Sequence, residues 1–257
     1  MPKELSHPGT VERLLREGYA FLPAAQAATT LNLDLERLNG LRDTWSRLPR
    51  DAYLLDGGRY RSRRHSCFVQ DVSAVGLSTV PRRPHWQPTS YNALHGGLER
   101  WFEPIEARVV GAPAWSGLVT SIGTLLAQAR GVERWYIEAH QFRIDTASGI
   151  GRPTPEGAHR DGVDFVALIL VERRGIRGGE TRVFDAHGPS GVRFTMTEAW
   201  SMLLMDDARV VHETTPIQPA GESGFRDTLV LTYRAGGFQA PGQAGAGQPG
   251  GLEQEAP

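Results

Sequence analysis

Several short runs in the second half of this chain alternate in the manner of β-strands, and this pattern most constrains the fold. In residues 225–234, alternation places Leu229, Leu231 and Tyr233 on one face. The other face carries Arg226, Thr228, Val230 and Thr232. A polar inward face is typical of a strand in a closed barrel. Further strand-like runs occupy residues 135–144, 165–171, 181–185 and 208–212, so we predict a mainly β fold.

A His-x-Asp pair precedes one of these runs. His159 and Asp161 lie in the segment Gly-Ala-His-Arg-Asp-Gly, which leads into the apolar, β-branched run that ends at Val171. Side chains two positions apart point to one side of an extended chain, so both can reach one metal ion. With 8 histidines in the chain, such a pair also arises by chance, and its place before a strand is what favours the functional interpretation.

His212 is the predicted third metal ligand. It ends the run 208–212, and Pro216 then ends the strand, which suits a side chain at the mouth of a barrel. The competing ligand is His187, in a turn-rich stretch where a solvated histidine is ordinary. Two imidazoles and one carboxylate form a set that leaves open positions on a ferrous ion.

Arg226 and Thr228 follow His212 by about fourteen residues. A guanidinium fork beside a hydroxyl suits the carboxylate of a cosubstrate. Viewed alone, Arg226 is better explained by a structural salt bridge with an aspartate. Its position after a predicted metal ligand favours the cosubstrate interpretation.

The order of these residues resembles that of the double-stranded β-helix dioxygenases that use iron(II) and 2-oxoglutarate. The resemblance extends over roughly residues 10 to 235. Residues 136–144, 157–166 and 178–181 are similar to a bacterial branch that includes L-isoleucine 4-hydroxylase and other hydroxylases of free amino acids.

The resemblance implies a jelly-roll, cupin-like double-stranded β-helix and an Fe(II)- and 2-oxoglutarate-dependent dioxygenase. The implied iron ligands are His159, Asp161 and His212, and Arg226 and Thr228 would bind the distal carboxylate of 2-oxoglutarate. With O2 as second cosubstrate, such an enzyme hydroxylates an unactivated C–H bond and releases succinate and CO2. The carboxylate at Asp161 favours hydroxylation over halogenation, whereas desaturation and ring closure use the same ligands.

The residues that would contact the substrate are less clearly marked. In the strand-like run 135–144, Gln141 and Arg143 share one face and could bind an α-carboxylate, or could form a wet outer face. The cationic segment 58–68 offers Arg61 and Arg63 for the same purpose, against the alternative of a solvated loop. We expect a free L-amino acid or close derivative as the small-molecule partner.

Charge and composition limit the other classes of function. The net charge is −1 and the pI about 6.7, so one short basic run does not predict nucleic-acid binding. The sequence has neither an apolar stretch long enough for a membrane span nor the apolar region of a signal peptide. The single cysteine, Cys67, agrees with a reducing compartment. We therefore expect a cytoplasmic protein of undetermined oligomeric state.

The chain is predicted to hold one domain, residues 1–235, followed by a disordered tail rich in Gly, Gln and Pro, residues 236–257. Helices are predicted near residues 11–18, 31–48 and 117–131, where they would brace the barrel. The Pro-rich segment 79–88 is predicted to be a lid or a surface loop, with His85 and the later His95 solvated.

Two alternatives to a free amino acid hydroxylase remain at this stage. One is an oxygenase that acts on a larger natural product or on an amino acid tethered to a carrier. The other is a non-catalytic, cupin-like protein that binds a metal or a small acid. A protein that only binds has no need for both a metal triad and the Arg226 and Thr228 pair.

Overall fold

Antiparallel strands dominate the computed structural model, which describes residues 9–74, 76–92 and 94–242. In chain order the strands are β1 (Tyr19–Leu22), β2 (Arg61–Asp71), β3 (Ser78–Thr79), β4 (Arg134–Asp145), β5 (Phe165–Arg174), β6 (Ile176–Gly178), β7 (Thr181–Asp185), β8 (Gly191–Phe194), β9 (Met202–Asp206), β10 (Val210–Thr214), β11 (Ile217–Pro219) and β12 (Phe225–Arg234). They form a large sheet in the order β1-β9-β5-β12-β4-β2-β3, a smaller sheet β10-β7-β8 and the pair β11-β6. These antiparallel sheets confirm the predicted double-stranded β-helix.

The register of the large sheet aligns cationic side chains in one row. Ile144 of β4 pairs with Arg226 of β12 on one side and with Arg61 of β2 on the other. Residues in one row of an antiparallel sheet point to the same face. Arg61 and Arg226 therefore face the same way, two strands apart, with their Cα atoms roughly 10 Å from each other at the usual strand spacing.

The opposite face of the large sheet packs against helices. Leu229, Leu231 and Tyr233 of β12 are fully buried in the main hydrophobic cluster. The Tyr233 hydroxyl donates to the carbonyl of Val119 at 2.8 Å. Burying apolar area at about 25 cal/mol per Å² is the main stabilisation of such a face, and it leaves the polar face of β12 for the barrel interior, as the alternation predicts.

In the described part of the chain, six helices pack against this apolar face. They are α1 (Thr10–Glu17), α2 (Ala24–Leu31), α3 (Leu35–Asn39), a 3-10 helix (Arg42–Arg47), α4 (Ala107–Val110) and α5 (Pro113–Arg130). The single helix predicted near 31–48 is wrong. Asn32 ends α2 in a left-handed conformation with φ 51°, and Asp34 starts α3 by accepting from the Arg37 N–H at 3.0 Å.

A long segment, residues 80–106, joins β3 to α4 and contributes to the barrel mouth. His85 and Arg100 pair through their backbones, with N-to-O distances of 2.9 and 3.0 Å. His85 and His95 are buried, at 8% and 1% exposure. The prediction that both are solvated is therefore wrong, because this segment folds inward over the cavity.

The described residues also include the first part of the predicted tail. The Phe238 ring lies 5.2 Å from the Tyr136 ring, and the Gln239 amide donates to the carbonyls of Asp161 and Gly162 at 3.2 and 2.7 Å. Residues 236–242 thus contact the domain, and the rest of the predicted tail, 243–257, lies outside the described residues. The division into one domain and a tail stays a prediction.

None of the helices in the described part of the chain has the length and apolar character required to cross a bilayer.

Candidate metal centre and cavity

A cavity opens into the barrel between the large sheet, the small sheet and the segment 80–106. Strands β2, β4 and β12 supply its floor, and the loop before β5 and strand β10 supply one wall. The predicted site residues that line it are His159, Asp161, His212, Arg226, Thr228, Arg61 and Arg63. Residues far apart in the sequence therefore meet around one space.

The side chains of His159, Asp161 and His212 converge at one wall of this cavity. Their ligand atoms all lie within 4.8 Å of one another. The two histidines are joined through their backbones by a pair of 3.0 Å hydrogen bonds, which brings the loop before β5 against β10. Three donors at this spacing can hold one divalent ion.

The His159 ring is oriented for metal binding. Its Nδ1 lies 3.0 Å from the carbonyl oxygen of Gly157, and a carbonyl only accepts, so Nδ1 carries the proton and Nε2 offers its lone pair. Burial lowers the pKa of His159, but the carboxylates of Asp161 and Glu156 outweigh burial and raise it overall. The same negative field attracts a divalent cation.

A buried carboxylate holds the loop that carries these ligands. Asp207 accepts from the backbone N–H groups of Asp161, Gly162 and Val163 at 2.9, 2.7 and 3.1 Å. Gly162 has φ +75°, and a Cβ there would meet the Tyr91 ring at 2.6 Å, so this turn requires glycine. Burial, with the nearby Asp161, raises the pKa of Asp207 to about 7.

Arg226 and Thr228 lie on the cavity floor, as the alternation of β12 predicts. Both are buried, at 2% and 3% exposure. The Nε and Nη2 atoms of Arg226 have no hydrogen-bond partner among the described residues. Burial and the neighbouring Arg173 lower the pKa of Arg226 to about 10, so it stays protonated at neutral pH. A buried cation with free donors fits the carboxylate of a dianionic cosubstrate.

A second group of histidines with a carboxylate adjoins the same cavity through His85 and His140. It consists of His65, His85, Glu138 and His140, all buried, with ligand atoms within 4.8 Å of one another. Glu138 Oε2 lies 2.9 Å from His65 Nε2 and 2.7 Å from His85 Nδ1. By composition alone this group is as good a metal site as the first.

The partner of His140 argues against a metal in this second group. The Arg63 guanidinium lies 2.7 Å from His140 Nδ1. Because a guanidinium only donates, Nδ1 must accept, and the proton of the neutral ring is on Nε2. That proton occupies the nitrogen nearest Glu138, at 3.8 Å, where a metal would need a lone pair. Arg63 also places a positive charge beside the group.

The second group is instead a hydrogen-bonded network. Burial lowers the pKa of His85 to about 4, so the ring is neutral at pH 7. Burial opposes ionisation of Glu138, but hydrogen bonds and charge from His85 and His65 outweigh it and hold the pKa of Glu138 below its ordinary value. A buried carboxylate with two imidazole donors is satisfied without a metal.

The end of the cavity beside this network is cationic. Arg61, Arg63 and Arg100 are buried at 6%, 3% and 2% exposure. Each has one nitrogen without a partner among the described residues: Arg61 Nη2, Arg63 Nε and Arg100 Nε. The Arg61 Nε donates to Asp51 at 2.7 Å. Burying unsatisfied donors of charged groups is costly, so this end is built to receive an anion.

Glu156 brings a negative charge to the same space. Its side chain is 11% exposed, and its Oε1 lies 3.6 Å from His159 Nε2. Its Oε2 is buried with no partner in the described part of the chain. Burial and Arg61 lower the pKa of Arg100 to about 10, while the charge of Glu156 acts in the opposite direction, so Glu156 lies within electrostatic reach of the cationic end.

Gln141 and Arg143 do not line the cavity, contrary to the expectation that they meet the substrate. Gln141 is fully buried on the helix-facing side and donates to Thr44 at 3.2 Å. Arg143 forms a bidentate ion pair with Asp227, at 2.8 and 2.6 Å. The alternation of β4 is as predicted, but its inward face carries His140 and Phe142.

Sequence reasoning also missed residues that the segment 80–106 brings to the cavity, among them His85, Gln87 and Arg100. Gln87 donates to Asp161 Oδ1 at 3.0 Å, and Arg100 donates to Gln87 Oε1 at 3.0 Å. No periodicity marks these residues, because the segment has little regular structure and is placed by long-range contacts alone.

Comparison with known proteins identifies the family. The sequence profile described as 2OG-Fe dioxygenase matches residues 42–232. A crystal structure of a bsmA homolog from Methylobium petroleophilum PM1 is 52% identical, with 94% of this chain and 99% of that chain covered and a TM-score of 0.87. A search of curated proteins found no match.

Two more distant crystal structures share the fold. IDO from Bacillus thuringiensis is 18% identical, with 88% of this chain and 97% of that chain covered and a TM-score of 0.72. The Fe(II)/α-ketoglutarate-dependent dioxygenase TqaL is 18% identical, with 87% and 85% covered and a TM-score of 0.66. The predicted branch of free amino acid hydroxylases stays a prediction. The chain belongs to the 2OG-Fe dioxygenase family, and the protein is an enzyme that uses iron(II), 2-oxoglutarate and O2.

Proposed function

We propose that this enzyme hydroxylates an unactivated C–H bond of a free L-amino acid or a close derivative. In this proposal, His159, Asp161 and His212 hold iron(II), and Arg226 with Thr228 binds the distal carboxylate of 2-oxoglutarate. When bound, the iron and the keto acid supply the oxidising chemistry, with succinate and CO2 as by-products. The protein's own residues bind, orient and enclose the two organic acids.

The observation that carries the proposal is that opposite charges line one cavity: the arginines of its cationic end, and Glu156 beside the metal ligand His159. Among the described residues, Arg61 and Arg100 each have a donor without a partner, and Glu156 has a carboxylate oxygen without one. The carboxylate and ammonium of an α-amino acid are attached to one carbon, so a receptor needs its cation and its anion side by side. A zwitterion satisfies both poles together.

The distance between Arg226 and the cationic end supports the binding of two different acids in one cavity. Arg226 and Arg61 face the cavity two strands apart, on either side of Ile144. If 2-oxoglutarate occupies Arg226, the unpartnered donors of Arg61 and Arg100 remain for another carboxylate. A second acid at this distance can be enclosed in the same cavity as the metal ligands.

The same geometry disfavours a carrier-tethered amino acid. A tethered amino acid is a thioester and has no free carboxylate, so it would leave the cationic end unpaired. A buried guanidinium without its partner costs about 1–3 kcal/mol or more. The free acid is therefore the better match for this cavity.

The experiment is a coupled assay with iron(II), 2-oxoglutarate and O2, in which free amino acids are added singly. Succinate is measured together with product mass. The proposal expects at least one amino acid to stimulate succinate release and to gain one oxygen atom. Succinate without stimulation by any free amino acid would contradict the amino acid assignment.

Two derivatives of the best substrate and one variant test how the enzyme binds the carboxylate and the ammonium of the amino acid. The amide of the best substrate removes the carboxylate, and its N-acetyl form removes the ammonium. Glu156→Gln should raise the KM for the free amino acid at least about tenfold, as expected for losing one member of a buried charge pair. The ratio of the KM for the N-acetyl form to the KM for the free amino acid should be much smaller in the variant than in the unchanged enzyme. Equal effects on both forms would exclude Glu156 as the ammonium partner.

A further inference from the structure

The side chain of Gln87 joins two charged groups of the cavity. Its Nε2 donates to Asp161 Oδ1 at 3.0 Å, and its Oε1 accepts from Arg100 Nη2 at 3.0 Å. Asn92 Nδ2 is a weaker third contact, 3.3 Å from Oε1. Gln87 is 4% exposed and Arg100 is 2% exposed, so these bonds are formed away from bulk water, where they are stronger.

An amide has the two functions that this link requires. The carboxylate of Asp161 accepts and cannot donate, whereas the guanidinium of Arg100 donates and cannot accept. A bridging side chain must therefore present a donor to one and an acceptor to the other. This requirement also fixes the orientation of the Gln87 amide, with nitrogen toward Asp161.

The backbone of Gln87 is anchored independently of its side chain. Its carbonyl accepts from the Gly97 N–H at 2.8 Å. Two residues earlier, His85 pairs with the backbone of Arg100. The backbones of Gln87 and Arg100 are therefore both held in place. A movement of the Asp161 or Arg100 side chain then changes its hydrogen bond to the Gln87 side chain.

We infer that Gln87 is a positioning residue that couples Arg100, at the cationic end of the cavity, to the metal ligand Asp161. The link itself follows from the hydrogen bonds of Gln87. Its meaning for the reaction rests on the proposed function, in which Arg100 receives the substrate carboxylate. A carboxylate bound at Arg100 then alters the bond to Gln87 and, through it, the orientation of Asp161.

The test is a double-mutant cycle on metal affinity, measured as the dissociation constant of Mn(II) by electron paramagnetic resonance in the presence of 2-oxoglutarate. Gln87→Met keeps the volume and removes both hydrogen bonds. Loss of an outer partner of a metal ligand should weaken Mn(II) binding about tenfold. Arg100→Lys keeps the charge and removes the planar fork that reaches Gln87.

The cycle distinguishes coupling between Arg100 and Gln87 from independent effects of the two substitutions on Mn(II) affinity. Arg100→Lys should weaken Mn(II) binding about threefold with Gln87 present and should have no effect when combined with Gln87→Met. Gln141→Met is the matched control, since it makes the same change in a buried glutamine outside the cavity. It should leave the Mn(II) dissociation constant unchanged.

An unchanged dissociation constant in Gln87→Met would overturn the inference, and so would equal effects of Arg100→Lys in both backgrounds. If Gln87→Met does not fold, Gln87→Asn, whose shorter side chain cannot span both partners, takes its place with the same expectation. No substrate is needed. A non-additive cycle together with an assay in which no amino acid is oxidised would keep the link and refute the proposed function.

Discussion

Two groups of histidine and carboxylate meet at one cavity, the second through His85 and His140, and they are suited to different tasks. The first group is His159, Asp161 and His212, and the second is His65, His85, Glu138 and His140. Both have ligand atoms within 4.8 Å of one another. Residue type and spacing therefore do not distinguish a metal centre from a polar network.

The difference lies in the partner of the second ring nitrogen. At His159 a carbonyl accepts from Nδ1 and leaves Nε2 free to bind a metal. At His140 a guanidinium donates to Nδ1 and leaves the proton on Nε2. The hydrogen-bond partner of Nδ1 thus determines whether Nε2 has a lone pair for a metal.

The largest expected effect compares the two carboxylates. Asp161→Ala should weaken Mn(II) binding by more than roughly a hundredfold, beyond the loss seen for outer partners, and should abolish succinate formation. Glu138→Gln should leave Mn(II) affinity unchanged and lower the free energy of unfolding by about 1–3 kcal/mol, because a charged acceptor of two hydrogen bonds is lost. Titration with Mn(II) and urea unfolding measure the two effects. A loss of Mn(II) affinity in Glu138→Gln would break the distinction.

The second prediction concerns the arginines associated with each group. Arg63 bonds His140 and has one nitrogen without a partner, whereas Arg226 has two such nitrogens among the described residues. Arg226→Ala should weaken 2-oxoglutarate binding to the Mn(II)-loaded protein by about 2–5 kcal/mol, as for truncation of a buried charge pair. Isothermal titration calorimetry gives the dissociation constant, and Arg226→Lys should lose less than Arg226→Ala. An unchanged constant would remove Arg226 from the cosubstrate site.

A third prediction uses the pH dependence of the second group in metal-free protein. The pKa of His85 is about 4 in the folded protein, against about 6.5 unfolded. Between these two pH values the unfolded chain binds a proton that the folded protein does not. The contribution of His85 to the free energy of unfolding is therefore fully present above pH 6.5 and is lost as the pH drops toward 4. The contribution is about 3 kcal/mol. His85→Asn should flatten the dependence of urea unfolding on pH, and an equally steep dependence would show that other groups cause it.

The smallest expected effect concerns His187, the competing ligand in the sequence. It lies in an exposed turn after β7, where its backbone N–H bonds Asp185 at 2.8 Å. His187→Ala should change the free energy of unfolding by no more than about 0.5 kcal/mol and should leave Mn(II) affinity unaltered. Weaker Mn(II) binding would sharpen the comparison by adding a third histidine to the metal centre.

Local periodicity predicted much of the cavity floor. The alternation in β12 placed Arg226 and Thr228 inward, because Leu229, Leu231 and Tyr233 on the other face form the apolar side that packs in the core. In β4 the same reasoning failed. One face carries His140 and Phe142 and the other carries Gln141 and Arg143. Neither pair is wholly apolar, so alternation defines the two faces without showing which one points inward.

The helical region shows the same limit. Leucines near 31–48 recur at helical spacing, but α2 ends at Leu31, α3 covers only Leu35–Asn39, and a separate 3-10 helix begins at Arg42. Several short helices that pack on one sheet produce the same periodicity as one long helix. Spacing reports which side is apolar and does not report that the axis changes direction.

By itself, the sequence determined the strand-rich fold, the His-x-Asp, His and Arg-x-Thr order, and the inward face of β12. The tertiary structure decided that His159, unlike His140, keeps Nε2 free for a metal, which arginines lack partners among the described residues, and that Gln87 joins Arg100 to Asp161. The physical reason is the distance along the chain over which each interaction acts. Strand alternation and turn residues act between near neighbours in the chain, whereas tautomers, ion pairs and buried donors depend on atoms that folding brings together from distant segments.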